Sequence, residues 1–377
     1  MSPHTSKALY WLQATLAVAV VGIHTDPVLV PGSVMDYVVS FIASCVSLPV
    51  LPLYFLMAGY LMFDRFDTFG LTQYRYVVTR RLATLVAPWL LWTVIGYVCF
   101  ALLDPSRPAP PPWRLDLIMF ADSYSQPLVV SDSLSIPLLG TPFGCDVMYY
   151  ARDIFILALI SPLIWLTVRR LGLCTIPLCV AVYLLIGRPG VGPWRLNWIF
   201  FPIGAAISVS RVDLGALCRR FNGLGWTVTI LWAAMTVVYT WMCVNYDSNH
   251  LTNGFYARNF GLLTTLTGIA AVVWIAHRAT LRRNPRILAL APIAFLIFAI
   301  HVLPPVEKPL LALADWFNDF LGIADEWKAL SQTVCLLPIR VLLIATLAAL
   351  IGRVSPRLLS LLTGSRSRRA ERLTLNA

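Results

Sequence analysis

Apolar runs of membrane-spanning length follow one another along almost the whole chain, and they limit it to one class of fold. Of the 377 residues, 58% are hydrophobic and only 12% are charged. Soluble domains carry roughly 25% charged residues, so too little polar surface is present to cover a water-soluble globule of this size. A helical span needs about 20 apolar residues, and the chain has room for about ten. We therefore predict an all-α polytopic bundle of about ten transmembrane helices.

The ends of the apolar runs, marked by charges, Pro and Gly, place these spans. The predicted spans are 8–24, 42–63, 77–103, 147–168, 173–188, 194–210, 224–244, 257–277, 287–303 and 333–352. A cleaved signal peptide is the alternative for the first run, but no small-x-small cleavage site follows it, so we interpret it as a retained span. The sequence predicts a membrane domain over 1–352 with a long outer loop at 104–146, then a basic tail over 353–377.

The basic residues alternate from loop to loop, which predicts the orientation. Most of the 29 Lys and Arg residues fall on one side of the predicted spans, and both termini lie on that side. By the positive-inside rule we predict cytoplasmic termini. The net charge of +11 is then a topology signal, so we expect a lipid bilayer and no nucleic acid as partner. The oligomeric state stays open.

The eight cysteines form no CxxC pair, and no Gly-rich phosphate loop occurs. Small core residues of a bundle are the simplest account of these cysteines. We therefore predict no metal site and no bound cofactor.

The first run, "LQATLAVAVVGIH", contains Gln13 near one end and His24 at the other. Eleven residues at 100° each come within about 20° of three full turns, so both side chains share one helix face, about 16 Å apart along the axis. Gln13 is then near the cytoplasmic end of the span and His24 at its outer end. Besides a role in a polar path along the helix, Gln13 has a structural interpretation, in which its side chain hydrogen-bonds to a neighbouring helix.

Five segments in order carry a resemblance to a known family. They are "LYWLQATLAVAVVGIH", "LPVLPLYFLMAGYLMF", "YRYVVTRRLATLVAPWLLW", "MYYARDIFILALISPLIWL" and "IAFLIFAIHVL". This order resembles the acyltransferase family 3 integral-membrane proteins, and most closely the enterobacterial-common-antigen O-acetyltransferase type. The resemblance implies a ten-span enzyme that moves an acyl group, commonly acetyl, from cytoplasmic acyl-CoA to a hydroxyl of an extracytoplasmic glycan or lipid-linked saccharide. It also implies a location in a bacterial inner (plasma) membrane.

The resemblance also implies site residues. The family pattern in span 1 is an Arg, ten residues and a His; His24 matches it, whereas Gln13 stands where the family has Arg. The Ser-Gly-Tyr of span 2 corresponds to Ala58-Gly59-Tyr60, a second departure. Further family positions fall on Tyr149, Arg152, Asp153, Phe298 and His301. Among the positions that the resemblance marks, we predict substrate contact for Gln13, Tyr60, Tyr149, Arg152 and His301.

Acyl transfer to a hydroxyl needs a general base, and His24 is the residue that suits this role. A histidine imidazole titrates near neutral pH and can take the alcohol proton. Asp26 could orient the ring if the helix ends between the two residues. An interfacial histidine at a helix end is the alternative for His24. We list Asp153 with His24 and Asp26 as catalytic candidates.

The charged residues inside or beside the spans have two interpretations each. Arg152 and Asp153 are adjacent and point about 100° apart on a helix, so we predict different partners for them, His24 being one for Asp153; a structural salt bridge is the alternative. Arg80 and Arg81 could bind the CoA phosphates or act as positive-inside anchors. Arg340 is predicted to have an interior polar role.

The predicted function is membrane O-acyl transfer. A transporter or flippase of a lipid-linked sugar would also use intramembrane charges, although no internal repeat supports it. A family member with weakened catalysis is a further alternative, because Gln13 lacks the charge of the family Arg.

Overall fold

The computed structural model describes residues 3–24, 29, 31–105, 108–120, 128–131, 134–136, 141–186, 197–245, 255–281 and 290–364. The helices of the first half are α1 (Pro3–Ile23), α2 (Val34–Phe63), α3 (Leu71–Arg81), α4 (Ala87–Leu103), α5 (Leu115–Met119), α6 (Tyr149–Leu159), α7 (Ser161–Leu171) and α8 (Thr175–Ile186). Those of the second half are α9 (Phe200–Val209), α10 (Leu214–Arg220), α11 (Gly225–Asn245), α12 (Phe255–Leu281), α13 (Ala294–Ile300), α14 (Pro304–Phe320), α15 (Asp325–Val354) and α16 (Pro356–Leu362). Every predicted span overlaps at least one of these helices, and the helical class is confirmed.

The described residues contain fewer candidate membrane-spanning helices than the ten that the sequence predicts. Within the described residues, seven helices are long and apolar enough to cross a membrane, or up to nine if each of two sharply bent helix pairs is one span. The count of ten and the cytoplasmic termini therefore stay predictions. One of the seven, Ser161–Leu185, is interrupted where α7 ends. Arg169 and Arg170 lie in the last turn of α7, and Gly172 follows it with a φ of +53°.

The predicted span 147–168 is interrupted near its middle. Helix α6 ends at Leu159, and α7 begins at Ser161 with Pro162 in its first turn. Proline has no N–H to donate to the preceding turn, and its ring clashes with that turn, so a helix readily restarts there. A prediction by hydropathy alone could not detect this break, because the residues on both sides are apolar.

A π-helical segment, Leu82–Val86, joins α3 to α4 just before Ala87 and Pro88. Pro88 removes one backbone donor, and a wider π turn accommodates such a defect inside a continuous helix. The predicted span 77–103 is thus helical from Leu71 to Leu103.

The outer loop predicted at 104–146 contains some regular structure. It holds the short helix α5 and two antiparallel strands, β1 (Leu128–Ser131) and β2 (Leu134–Ile136). This small hairpin is an addition to the all-α prediction.

The chain packs as two compact units. The described residues of the first lie within Met1–Ile23, Val28–Arg75 and Ile160–Ala289. In it α2 is central and packs against α1, α9, α11 and α12.

The second unit has its described residues within His24–Pro27, Tyr76–Leu159 and Leu290–Ala377. In it α14 packs against α15 and α4, and α13 packs against α15. Helix α16, from the predicted tail, packs on α4, where Trp92 donates from Nε1 to the Leu362 carbonyl at 3.0 Å.

Two glycines bring α2 and α9 into backbone contact within the first unit. A Cβ on Gly204 would overlap the Leu56 carbonyl, and one on Gly59 would overlap the Phe201 carbonyl. Small residues at such positions let membrane helices approach closely.

We expect Gly204→Ala to destabilise the first unit by about 1–3 kcal/mol, because backbone has to move to admit the methyl group. Gly223→Ala is the matched control, since a Cβ there meets nothing within 4 Å. Thermal unfolding of the purified variants in detergent compares the two. Equal midpoints would show that the close approach of α2 and α9 does not contribute to stability.

Candidate functional site

Two histidine rings meet in the second unit. His24 follows the last residue of α1 and is partly exposed, whereas His301 follows α13 and is completely buried. Their ring centroids are 5.1 Å apart with an angle of 60° between the planes. His301 lies where the chain bends by 81° between Ala291–Ile300 and α14. The bend places the buried imidazole against the partly exposed one.

A backbone contact fixes the orientation of the His301 ring. Its Nδ1 lies 3.1 Å from the Ile297 carbonyl oxygen. Since a carbonyl oxygen only accepts, the hydrogen of this bond is on Nδ1, and in the neutral ring Nε2 is then an acceptor. Nε2 is buried and has no hydrogen-bond partner among the described residues. Buried polar atoms are usually paired, so this acceptor suits a hydroxyl or a water.

Arg340 and Glu307 adjoin the histidines. Arg340 Nη1 donates to the backbone carbonyl of His24 at 3.2 Å, and Arg340 Nη2 lies 3.6 Å from Glu307 Oε1. The Arg340 side chain is 0% exposed and that of Glu307 is 29% exposed. The interior polar role predicted for Arg340 agrees with this burial. Glu307 is not among the predicted site residues, although an acidic residue in the first turn of an apolar helix was a usable signal.

Arg152 and Asp153 form a buried ion pair in α6. Arg152 donates from Nε to Asp153 Oδ1 at 2.9 Å, and its Nη2 lies 2.8 Å from the same oxygen. The two side chains are 2% and 6% exposed. The prediction that they do not pair with each other is wrong, because the long arginine side chain reaches back across the 100° between neighbouring positions. Contact between Asp153 and His24 stays a prediction.

Aromatic rings connect the start of α6 to His301. Tyr150 and Phe298 have ring centroids 6.0 Å apart, and Phe298 and His301 have theirs 6.3 Å apart. Tyr149, a predicted substrate contact, is buried at the first position of α6. The family-derived positions in α6 and near the end of α13 therefore belong to one packed region.

Arg80 and Arg81 end α3, also in the second unit. Arg80 is exposed and donates to the Tyr76 hydroxyl at 2.6 Å, with its guanidinium 5.8 Å from the centre of that ring. Both arginines lie near the start of the predicted span 77–103, which the positive-inside rule predicts to be its cytoplasmic end.

Gln13 and Tyr60 lie in the first unit. The Gln13 carbonyl accepts from the Tyr54 hydroxyl at 3.4 Å, which joins α1 to α2. Tyr60 is buried and lines a small apolar cavity with Leu12, Leu53 and His277.

Asp26 lies outside the described residues. Within the described part of the chain no three His, Cys, Asp or Glu side chains are arranged to hold a metal ion.

The architecture defines a helical membrane protein with a histidine pair beside a buried arginine. The profile of the acyltransferase domain of acyltransferase family 3 matches residues 6–352. The chain belongs to this family and is a membrane acyltransferase. Comparison with curated proteins found no match, and comparison with solved structures found none either.

Proposed function

We propose that this protein is an O-acyltransferase that moves an acyl group, with acetyl as the first candidate, from cytoplasmic acyl-CoA to a hydroxyl of an extracytoplasmic glycan or lipid-linked saccharide. The contact between His24 and His301 in a chain of the acyltransferase family carries the proposal. An imidazole that is partly exposed can meet a substrate hydroxyl, and a buried neighbour can hold that substrate in place.

The proposed step transfers one acyl group and one proton. The acceptor oxygen attacks the thioester carbonyl while His24 takes the hydroxyl proton. The carbon–sulfur bond then breaks, the CoA thiolate leaves, and the imidazolium returns the proton to the sulfur. General base catalysis of this kind contributes roughly 10²–10⁴-fold to the rate. His301 Nε2 would accept a hydrogen bond from a second hydroxyl of the acceptor.

The remaining candidates have supporting roles in this proposal. Arg80 and Arg81, at the end of α3, would bind the CoA phosphates. Asp26 would orient His24. Asp153 would contribute indirectly, by holding Arg152 through their ion pair. The protein would lie in the inner membrane, as the resemblance implies, with the cytoplasmic termini that the charge distribution predicts.

Membranes that contain the protein test the proposal with acetyl-CoA labelled in the acetyl group and native lipid-linked saccharide as acceptor. The proposal predicts label in the saccharide, released by mild alkali because the bond is an ester. Membranes without the protein serve as control. Saccharide that crosses the membrane without gaining label would favour a flippase, and label in neither membrane preparation would contradict acyl transfer from acetyl-CoA.

We expect Gln13→Arg to lower the KM for acyl-CoA. A hydrogen bond to a charged group contributes about 1.5–3 kcal/mol, equivalent to roughly 10–100-fold in affinity. Gln13→Lys is the matched variant, because it restores the charge without the forked donor geometry. Initial rates over a range of acetyl-CoA concentrations measure the effect. An unchanged KM in both variants would show that this position does not contact the donor.

A further inference from the structure

We propose that Arg340 is a positioning residue for His24 and that Glu307 sets the orientation of Arg340. The inference rests on the proposed function, since it names the group that holds the base. It concerns the main chain of His24 rather than its ring, and it uses two residues that no resemblance assigned to the site.

The backbone carbonyl of His24 accepts a hydrogen bond from Arg340. His24 follows the last residue of α1, where carbonyl groups no longer have an intrahelical donor. Arg340 Nη1 supplies a donor at 3.2 Å. A bond to the main chain restrains the Cα position and so limits where the imidazole can lie.

The Arg340 guanidinium is itself held beside a carboxylate. Arg340 is completely buried on α15, and burial of an arginine is costly unless charge and hydrogen bonds compensate. Glu307, in the first turn of α14, provides the opposite charge at 3.6 Å from Nη2. One guanidinium thus connects the residue after α1 to α14 and α15.

His301, which provides the partner ring, lies only three positions before the first residue of α14, and its Nδ1 is fixed by the Ile297 carbonyl. Glu307 lies on that same helix, so Arg340 and Glu307 restrain both sides of the histidine pair. Fixing reacting groups in this way is worth much in rate, since a displacement near 1 Å can cost about 100-fold.

Arg340→Met is therefore expected to lower kcat by about 100-fold while the KM for acetyl-CoA stays near its wild-type value. Arg340→Lys should restore only part of the rate, because lysine lacks the planar fork that places one nitrogen at the carbonyl and another beside the carboxylate. Glu307→Gln should lower kcat in the wild type and much less in Arg340→Met, since the two side chains act as a unit. Arg353→Met is the matched control, an exposed arginine on the same helix.

A second readout does not depend on activity. Diethyl pyrocarbonate modifies accessible imidazoles, and mass spectrometry follows each histidine separately. In Arg340→Met the modification rate of His24 should rise by about tenfold, since loss of a hydrogen bond to a charged group releases the residue. His277, which is buried in the first unit, reports the integrity of the fold and should stay slow.

The outcomes separate the two proposals. A faster reaction of His24 alone, in Arg340→Met and not in Arg353→Met, supports positioning by Arg340. An unchanged rate at His24, or an equal rise at His277, overturns it, the latter because Arg340 would then support the fold as a whole. If wild-type protein transfers no acetyl group, the proposed function fails, while the modification rates still decide whether Arg340 holds His24.

Discussion

Replacement of His24 by alanine is expected to reduce acyl transfer by about 10²–10⁴-fold, which is the contribution typical of a general base. The loss should appear in kcat, with the KM for acetyl-CoA little changed, because the donor does not need the imidazole to bind. Steady-state rates of ester formation by purified protein measure both constants. His24→Gln should be as inactive as His24→Ala, since an amide keeps the polarity but cannot take the proton.

His4→Ala is the matched control for this prediction, because His4 lies at the opposite end of α1. Its rates should equal those of the wild type. Full activity in His24→Ala would remove His24 from the chemistry and leave His301 as the histidine to test. Equal losses in His4→Ala and His24→Ala would show that the damage comes from α1 rather than from the missing base.

Asp153→Ala should be the most destabilising single change in the second unit, by about 3–5 kcal/mol, because it leaves the buried charge of Arg152 without this carboxylate. Removing both charges, with Arg152→Leu and Asp153→Leu together, should cost less than Asp153→Ala alone. Thermal unfolding of the three proteins in detergent gives the comparison.

The exposed pair Arg114–Asp116 supplies a control with the same chemistry. Its N–O distance of 2.8 Å equals that of the buried pair, but its side chains are 50% and 58% exposed. Asp116→Ala should leave the unfolding temperature nearly unchanged, because water screens such pairs. If Asp153→Ala also unfolds at the wild-type temperature, the buried pair does not hold α6 in place, and its function would have to be sought in catalysis alone.

The helical class of the fold was predictable, and the details of individual helices were less so. Hydropathy locates apolar runs, and every predicted span overlaps a helix. It does not register a proline that interrupts a run, and the break before Pro162 was missed for that reason. The short hairpin in the outer loop also gave no period-2 signal strong enough to predict.

The candidate site was predictable only where residue type signals chemistry. His24 was predicted as a histidine at the end of a span and His301 as a family position, and the two rings contact each other. Their contact depends on packing between segments far apart in the chain, which one sequence does not contain. The hydrogen bond from the Arg340 guanidinium to the His24 carbonyl could not be predicted from the sequence, because backbone acceptors have no sequence signature.

Transfer of an acyl group from CoA to a saccharide hydroxyl releases one CoA thiol for each ester formed, and a reconstituted system measures this ratio. Purified protein in liposomes receives acetyl-CoA and lipid-linked saccharide, and released CoA thiol and new saccharide ester are measured together. We expect equal amounts of thiol and ester with wild-type protein and neither above background with His24→Ala. Thiol release without ester, or movement of unmodified saccharide across the bilayer with no thiol released, would contradict it.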